Sequence, residues 1–317
     1  MDVPQPVGVG VRAPDFALTG PSGTATRFYA MAGGRPTALA FGPEAATPDL
    51  IARLAPREDV ALISVAESAV AATFGLSPAR PTVVVLDPNL RVVGVVTGDD
   101  RTDEVVALLE AAVHRAGPTE VTGQAPVLLI PRVVDAELRD RLIRLLEQQG
   151  SIETGVEASS NGERGEVLDA SYKRRRDHTV ADPDLMRELS SVVGRRVMPE
   201  IRKAFAFRAT RFEGFKIACY DASTGGFFRA HRDNLSPSTA HRVFALTINL
   251  NEVYEGGQLR FPEYGNQVYR PGSGGALVFS CAHLHEVLDV TAGRRFALLS
   301  FLYGEPASNA APRGTLA

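Results

Sequence analysis

The chain has 317 residues, 44% of them apolar and 22% charged, with a formal net charge of −3. That is ordinary globular material, long enough for two domains. It lacks the basic field that nucleic-acid binding needs, any apolar run of about 18 residues, and, in its opening MDVPQPVGVG, the charged-then-apolar layout of a secretory leader. Two cysteines, Cys219 and Cys281, cannot build a disulfide framework. They read as buried thiols in a reducing compartment, so a cytoplasmic protein with neither a nucleic-acid nor a membrane partner is expected.

The first half alternates. Residues 37–42 (TALAFG) read as a strand, and 47–55 (TPDLIARLA) as a helix with Thr47 as N-cap and Pro48 at its first position. Residues 60–65 (VALISV) are a second strand; 82–87 and 91–98, split by the turn residues PNL, form a hairpin. Residues 102–116 (TDEVVALLEAAVHRA) are an amphipathic helix, and a Gly-Pro break at 117–118 makes 117–125 the best linker. Strand–helix alternation closed by a hairpin and a helix predicts an α/β sheet with covering helices.

This half resembles the thioredoxin-like redoxins, peroxiredoxins in particular. Residues 8–18 (GVGVRAPDFAL) are similar to their opening strand. Residues 80–94 (RPTVVVLDPNLRVVG) are similar to their Pro-led strand and hairpin, with Pro81 in the place of the usual cis-proline. The peroxidatic motif is absent: Pro43 and Thr47 are followed by Leu50 where the family has its cysteine, and no cysteine precedes residue 219. A thiolate is the nucleophile of that chemistry. A thiol peroxidase is therefore excluded, and the resemblance implies a redox-inactive unit over residues 1–118 that acts as scaffold, substrate-shaping element or interaction module.

The second half opens on helices. Residues 135–150 place Leu138, Leu142, Leu145 and Leu146 on one face, with Asp135 as N-cap and Gly150 as stop. Residues 182–205 are a second helical stretch, broken near Gly194. From about residue 211 short strands follow (EGFKIACYD, HRDN, RVFALTINLN, GQLRFPEY, GALVFSC, RFALLSFLY), which predicts a β-sandwich or barrel backed by helices. His231 and Asp233 are two apart, so in a strand both face one side. A neutral imidazole and a carboxylate on one face suit a divalent metal, and a third ligand would complete a 2-His-1-carboxylate face with open positions on iron(II). A surface His–Asp hydrogen bond gives the same spacing.

The wider pattern resembles the iron(II)/2-oxoglutarate dioxygenases of prolyl 4-hydroxylase type. The matching residues are Tyr220, Gly225–Gly226, His231, Asp233, Arg242, Leu250–Asn251, Gly256–Gly257, Phe261, His285, Val290, Gly293 and Arg295, running through about 211–303. The resemblance implies a double-stranded β-helix (jelly roll) over residues 119–317. It also implies iron(II) held by His231, Asp233 and His285, and 2-oxoglutarate, dioxygen and L-ascorbate as reactants. Hydroxylation of an unactivated C–H in a peptidyl or small-molecule substrate, with release of succinate and CO₂, would follow. Spacing selects the distal ligand: the family's oxoacid-binding base follows its distal histidine by about ten positions, which His285 and Arg295 satisfy and His283 does not. Arg295 and Tyr220 are the expected contacts to the far carboxylate of the oxoacid, with Arg294 outward. Ala245 and Asp289 depart from the family's Thr and Pro.

Other groups carry two readings. Arg242 is a candidate oxoacid contact or a structural ion pair. Asn234 binds a ligand or caps a strand end, and Phe227 and Phe228 read as wall and core. The run KRRRDH (173–178) is a solvated face or a mouth segment for an anion. A metal- and oxoacid-sensing regulatory protein is the alternative to an enzyme, and the redoxin-like half is a candidate surface for a homodimer or a protein partner.

Overall fold

A computed structural model describes residues 7–19, 25–77, 80–98, 101–113, 120–160 and 163–304. The chain folds as two units, residues 1–119 and 120–317.

The first unit is built on four strands: β1 (Thr37–Phe41), β2 (Ala61–Val65), β3 (Thr82–Leu86) and β4 (Val92–Thr97). They lie in the order β2-β1-β3-β4, with β1–β2 parallel and the other pairs antiparallel. β1 and β3 are buried on both faces, which is why each reads as a nearly continuous apolar run rather than an alternation. Helices α1 (Pro48–Leu54), α2 (Ser68–Thr73) and α3 (Thr102–Ala112) supply the packing. Leu50, Leu54, Val105 and Leu109 lie on one face of the sheet, and Ala71 and Phe74 on the other. The Thr47 hydroxyl accepts from Leu50 N–H at 3.1 Å, capping α1, and Pro48 occupies its first turn.

Three details differ from the sequence reading. The opening strand is confined to Ala17–Thr19, paired with Ala25–Arg27, because Pro14 removes a donor; Arg12 makes only an isolated bridge to Arg91. No cis peptide bond occurs among the described residues, so Pro81 follows a trans bond. α3 ends at Ala112, and the remainder of that expected helix, His114 included, lies outside the described residues.

Besides the two-stranded hairpin Val156–Ser160/Glu163–Val167, the second unit contains two larger antiparallel sheets. The larger runs in the order β5 (Leu128–Ile130), β14 (Ala276–Ser280), β11 (Phe244–Asn249), β16 (Val290–Tyr303), β9 (Arg211–Asp221), β8 (Arg176–Thr179), β6 (Ile152–Glu153), with Tyr254–Gly256 on the side of β16. The smaller runs β7 (Lys173–Arg174), β10 (Phe227–His231), β15 (His285–Val287), β12 (Leu259–Arg260), β13 (Val268–Tyr269). Side-chain alternation sorts the larger sheet into two faces. Phe215, Ile217, Cys219, Phe244, Leu246, Ile248, Phe296 and Leu298 pack under α4 (Ala136–Gln149), α5 (Pro183–Arg196) and α6 (Met198–Phe205). Ala218, Tyr220, Ala245, Leu277 and Phe279 face the smaller sheet, where Phe228, Leu259 and Val287 meet them. The result is a jelly-roll-like β core backed by helices.

The Asp135 carboxylate caps α4 by accepting from Leu138 N–H at 2.9 Å, and Gly150 ends the helix at φ 79°. The break expected at Gly194 falls at Val197 instead. Gly194 stays helical, and Pro199, in the first turn of α6, cannot donate to a continuing ladder and crowds the carbonyl four residues back.

Candidate metal centre and active-site cavity

The glycine pair ahead of the site has a steric cause. Gly225 adopts φ 68°, and a Cβ on Gly226 would sit 2.6 Å from Asp221 N and 2.8 Å from Tyr220 Cα. Only glycine lets the chain double back from β9 into β10 this tightly. The next feature is a parity shift. Phe228 and His231 are three apart, yet both line the same cavity and their rings stack with centroids 3.5 Å apart. Register with β15 runs from Phe228↔Val287 to His231↔His285, so three steps on β10 oppose two on β15. That one-residue bulge turns His231 inward, opposite His285.

β10 ends at His231, so the strand expected to run through Asn234 is shorter. Asp233 sits just past the strand end, where its N–H donates to the Cys281 carbonyl at 2.9 Å. Its carboxylate oxygens lie 3.5 Å from His231 Nε2 and 3.4 Å from His285 Nε2. One ligand atom from each of His231, Asp233 and His285 falls within 4.8 Å of the others. Each imidazole is braced from behind. His231 Nδ1 is 2.8 Å from the Arg229 carbonyl and His285 Nδ1 is 3.0 Å from the His283 carbonyl. Protons assigned to those nitrogens leave both Nε2 lone pairs facing the carboxylate.

Electrostatics match. Burial pushes His285 down to about 4, so the ring is neutral near pH 7. Burial alone would raise the Asp233 carboxyl, but His285, His231 and Arg242 outweigh it and hold the group below its ordinary value. Two imidazoles and one carboxylate, gathered at one edge of a cavity, are a donor set that fits iron(II) with coordination positions to spare. His283 is not part of the cluster: its Nε2 lies 3.3 Å from the Tyr264 hydroxyl.

The cavity has a volume of ≈880 Å³, and the metal-ligand cluster and Arg295 both line it. Tyr220 and Arg295 are direct cross-strand partners on β9 and β16, each 2% exposed, with the guanidinium carbon 5.2 Å from the Tyr220 ring centroid. Arg295 Nη1 is buried with no hydrogen-bond partner. A buried cation with an open donor is destabilising unless a ligand completes it. Arg294, on the opposite face, pairs with Glu147 at 2.8 Å. Arg242 lies at the cavity edge with its donors engaged. Nε and Nη2 each donate to a Glu213 oxygen at 2.7 Å, and Nη1 donates to the Asp233 carbonyl at 3.3 Å.

The basic run divides by alternation. Lys173 and Arg175 line the cavity, while Arg174 and Arg176 bond outward to Thr224 and Ser151. Arg175 clamps both oxygens of the buried Asp177 at 2.7 Å and lies 3.5 Å from the Tyr220 hydroxyl. Phe228 is cavity wall and Phe227 is buried against Arg229. Asn234 makes no side-chain hydrogen bond among the described residues. The two departures have local accommodations: Asp289 pairs with Arg229 at 2.8 Å, and Ala245 is followed two residues on by Thr247, which shares its face. Arg175 lines the cavity from within the singled-out run, whereas Thr247 and Lys216 line it and were not singled out from sequence. A lysine alternating with buried apolar residues in FKIACY, and a threonine within FALTIN, were the available signals.

Residues 215–303 match the model of the 2OG-Fe(II) oxygenase superfamily. Among curated proteins, PKHD-type hydroxylases of two Synechococcus strains, JA-2-3B'a(2-13) and JA-3-3Ab, are 29% identical over 104 residues, 31% of this chain and 46% of each relative. The chain thus spans about half the length of the curated relatives it matches. Among solved structures, a Pseudomonas putida prolyl-4-hydroxylase is 18% identical, with 58% of this chain and 95% of that one covered and a TM-score of 0.43. A Trichoplax adhaerens prolyl hydroxylase, in complex with a hypoxia inducible factor oxygen degradation domain peptide fragment, is 19% identical, with 57% and 85% covered and a TM-score of 0.45. Residues 215–303 thus match a 2OG-Fe(II) oxygenase domain, a superfamily that uses iron(II) with 2-oxoglutarate and dioxygen, and the His231–Asp233–His285 cluster lies within that match.

Proposed function

We propose that this chain, with its 2OG-Fe(II) oxygenase domain as premise, hydroxylates an unactivated C–H bond of a peptidyl or small-molecule substrate. The supporting observation is the convergence, in one cavity, of the His231–Asp233–His285 cluster and a buried guanidinium with an open donor. His231, Asp233 and His285 would hold iron(II). When bound, the metal supplies the activation of dioxygen: one oxygen atom enters the substrate C–H as hydroxyl, the other enters succinate, and 2-oxoglutarate loses CO₂.

The protein's own residues do the positioning. Arg295 offers its fork to the far carboxylate of 2-oxoglutarate, and the Tyr220 hydroxyl donates to the same group. The bulge in β10 and the Asp233–Cys281 backbone bond fix the ligand geometry before metal arrives. Arg242, held by Glu213, braces the Asp233 carbonyl rather than reaching the oxoacid. L-ascorbate is an accessory reductant on this reading. The N-terminal unit is a redoxin-like scaffold or docking module for a protein partner or second copy. Leu50 is 2% exposed at the position a peroxidatic cysteine would need. No helix among the described residues is long and apolar enough to cross a membrane.

The test is substrate-stimulated formation of succinate from 2-oxoglutarate in the presence of iron(II), ascorbate and air. His231→Ala and Asp233→Ala should abolish it while leaving the fold intact by circular dichroism. Unchanged turnover in these variants overturns the reading. Tight iron and 2-oxoglutarate binding without any turnover would support a sensor instead.

A further inference from the structure

Lys216 is not used by the site described so far. Alternation along β9 sends Phe215, Ile217 and Cys219 into the helix-backed core and turns Lys216, Ala218 and Tyr220 toward the cavity. The Lys216 ammonium is exposed within that cavity and has no hydrogen-bond or ion-pair partner among the described residues. The neighbouring cations are occupied. Arg175 is held by Asp177, Arg242 by Glu213 and Arg232 by Glu263, and the Lys173 ammonium donates to the Gly155 carbonyl at 2.7 Å. Arg295 is aimed at the oxoacid.

A second group shares its row. Lys216 is the cross-strand partner of Leu299, and Leu299 of Thr247, so the three line up across β9, β16 and β11 on one face. Thr247 is 5% exposed, lines the same cavity, and its Oγ1 has no hydrogen-bond partner. Two inter-strand spacings separate the Cα atoms of Lys216 and Thr247, about 10 Å, a gap that a lysine side chain spans toward a shared ligand. This row is distinct from the oxoacid row. Tyr220 and Arg295 lie four residues further along, roughly 13 Å at strand rise. The row between them holds Ala218, Ala297 and, on β11, Asn249, whose amide is bonded to Asn251, Pro271 and Tyr254. Along β9 the Lys216 row lies between the oxoacid row and Glu213. Glu213, three residues before Lys216, grips the Arg242 that donates to the Asp233 carbonyl.

We propose that Lys216 and Thr247 bind a carboxylate carried by the substrate that is hydroxylated. This rests on the hydroxylase reading above and specifies its substrate class. An ammonium that shares a cavity with a cation-binding centre is favoured by an interposed anion, and a buried hydroxyl with an open donor is completed by the same carboxylate. Leu235, 76% exposed, and Leu284 line the cavity too and suit the apolar remainder of such a substrate. The carboxylate could belong to a free acid or to a peptide's C-terminus or acidic side chain.

The experiment uses the full chain loaded with manganese(II) and 2-oxoglutarate, which binds without turning over. Free L-amino acids and their carboxamides, and short peptides with acid or amide C-termini and with or without Asp or Glu, are titrated by calorimetry. Acids should bind at least roughly 10-fold tighter than matched neutral amides. Lys216→Gln should erase that preference, and Thr247→Val should reduce it by about 3-fold or more. Both variants should keep the 2-oxoglutarate Kd within about 2-fold and keep the wild-type melting curve, as expected for groups that touch only the substrate. Free acids binding alone, or acidic peptides alone, identify the source. Equal binding of acids and amides, no acid binding at all, or a Lys216→Gln effect confined to 2-oxoglutarate would overturn the proposal. Arg295→Ala is run alongside. If it leaves 2-oxoglutarate binding unchanged, the oxoacid reading fails, and that failure is separate from the outcome at Lys216.

Discussion

Two side chains carry most of the chemistry that the fold does not share out. Arg295 is buried with an open donor, which on the proposed reading a carboxylate of 2-oxoglutarate completes. Arg295→Ala should raise the KM for 2-oxoglutarate by about 100-fold or more, since a buried carboxylate then loses its charge-assisted bonds. Arg295→Lys should recover only part, because a point charge lacks the fork. Metal affinity, measured by equilibrium dialysis, should stay unchanged in both; a loss there would place Arg295 in the metal site. His285 carries a pH dependence. Burial lowers its folded pKa to about 4 from 6.5. In the metal-free protein its contribution is fully present above 6.5. As pH falls, the unfolded chain takes the proton first, so that stability drains away and is gone below about 4. The total is on the order of 3 kcal/mol. Urea melts in chelator should show this slope in the wild type, and His285→Asn should flatten it between pH 6.5 and 4.

At the scale of elements, the glycines and the bulge allow the proposed metal and oxoacid sites to be tested separately. Gly226→Ala places a methyl against Tyr220 and Asp221 backbone, which should destabilise by roughly 1–3 kcal/mol. It should also weaken metal binding, because the reversal that feeds β10 must open. Gly257, at φ 67°, would put a Cβ 3.0 Å from Arg295 Cδ. Gly257→Ala should therefore raise the KM for 2-oxoglutarate with little change in metal affinity; the opposite pattern would contradict the assignment of the two strands. These elements also mark how far the sequence could be read. Helix α4 was legible because Asp135, the Leu138–Leu142–Leu146 stripe and Gly150 act locally. The strands β6, β7 and β8 were not, since two to four residues carry no periodicity and exist only by pairing with distant partners. The bulge was invisible for the same reason. His-x-Asp suggested a shared strand face, yet Asp233 lies beyond the strand and His231 faces inward through an extra residue that only register with β15 reveals. Lys216 and Thr247 were passed over because what distinguishes them, an open ammonium and an open hydroxyl on one row, is a property of three aligned strands.

At the scale of the molecule, each unit closes its own core. The apolar clusters of the first unit draw on residues 7–113, and those of the second on residues 125–302. Among the described residues, every one lining the ≈880 Å³ cavity lies between Gly155 and Phe301. The sequence anticipated this division because a strand–helix alternation gave way at a Gly-Pro break to helices followed by short strands, a change of period on either side of a single point. A domain with its own core and its own site folds without its neighbour. A fragment of residues 120–317 should therefore remain soluble, melt cooperatively, and bind manganese(II) and 2-oxoglutarate with Kd values within about 3-fold of the full chain, the scatter expected when no lining residue is removed. If the first unit only docks or shapes a macromolecular substrate, the fragment loses that substrate alone. Its residual turnover of 2-oxoglutarate without substrate then matches the parent. A fragment that folds yet binds neither metal nor oxoacid would show that residues 1–119 belong to the site itself, and the scaffold role assigned to the Leu50-bearing unit would have to be abandoned.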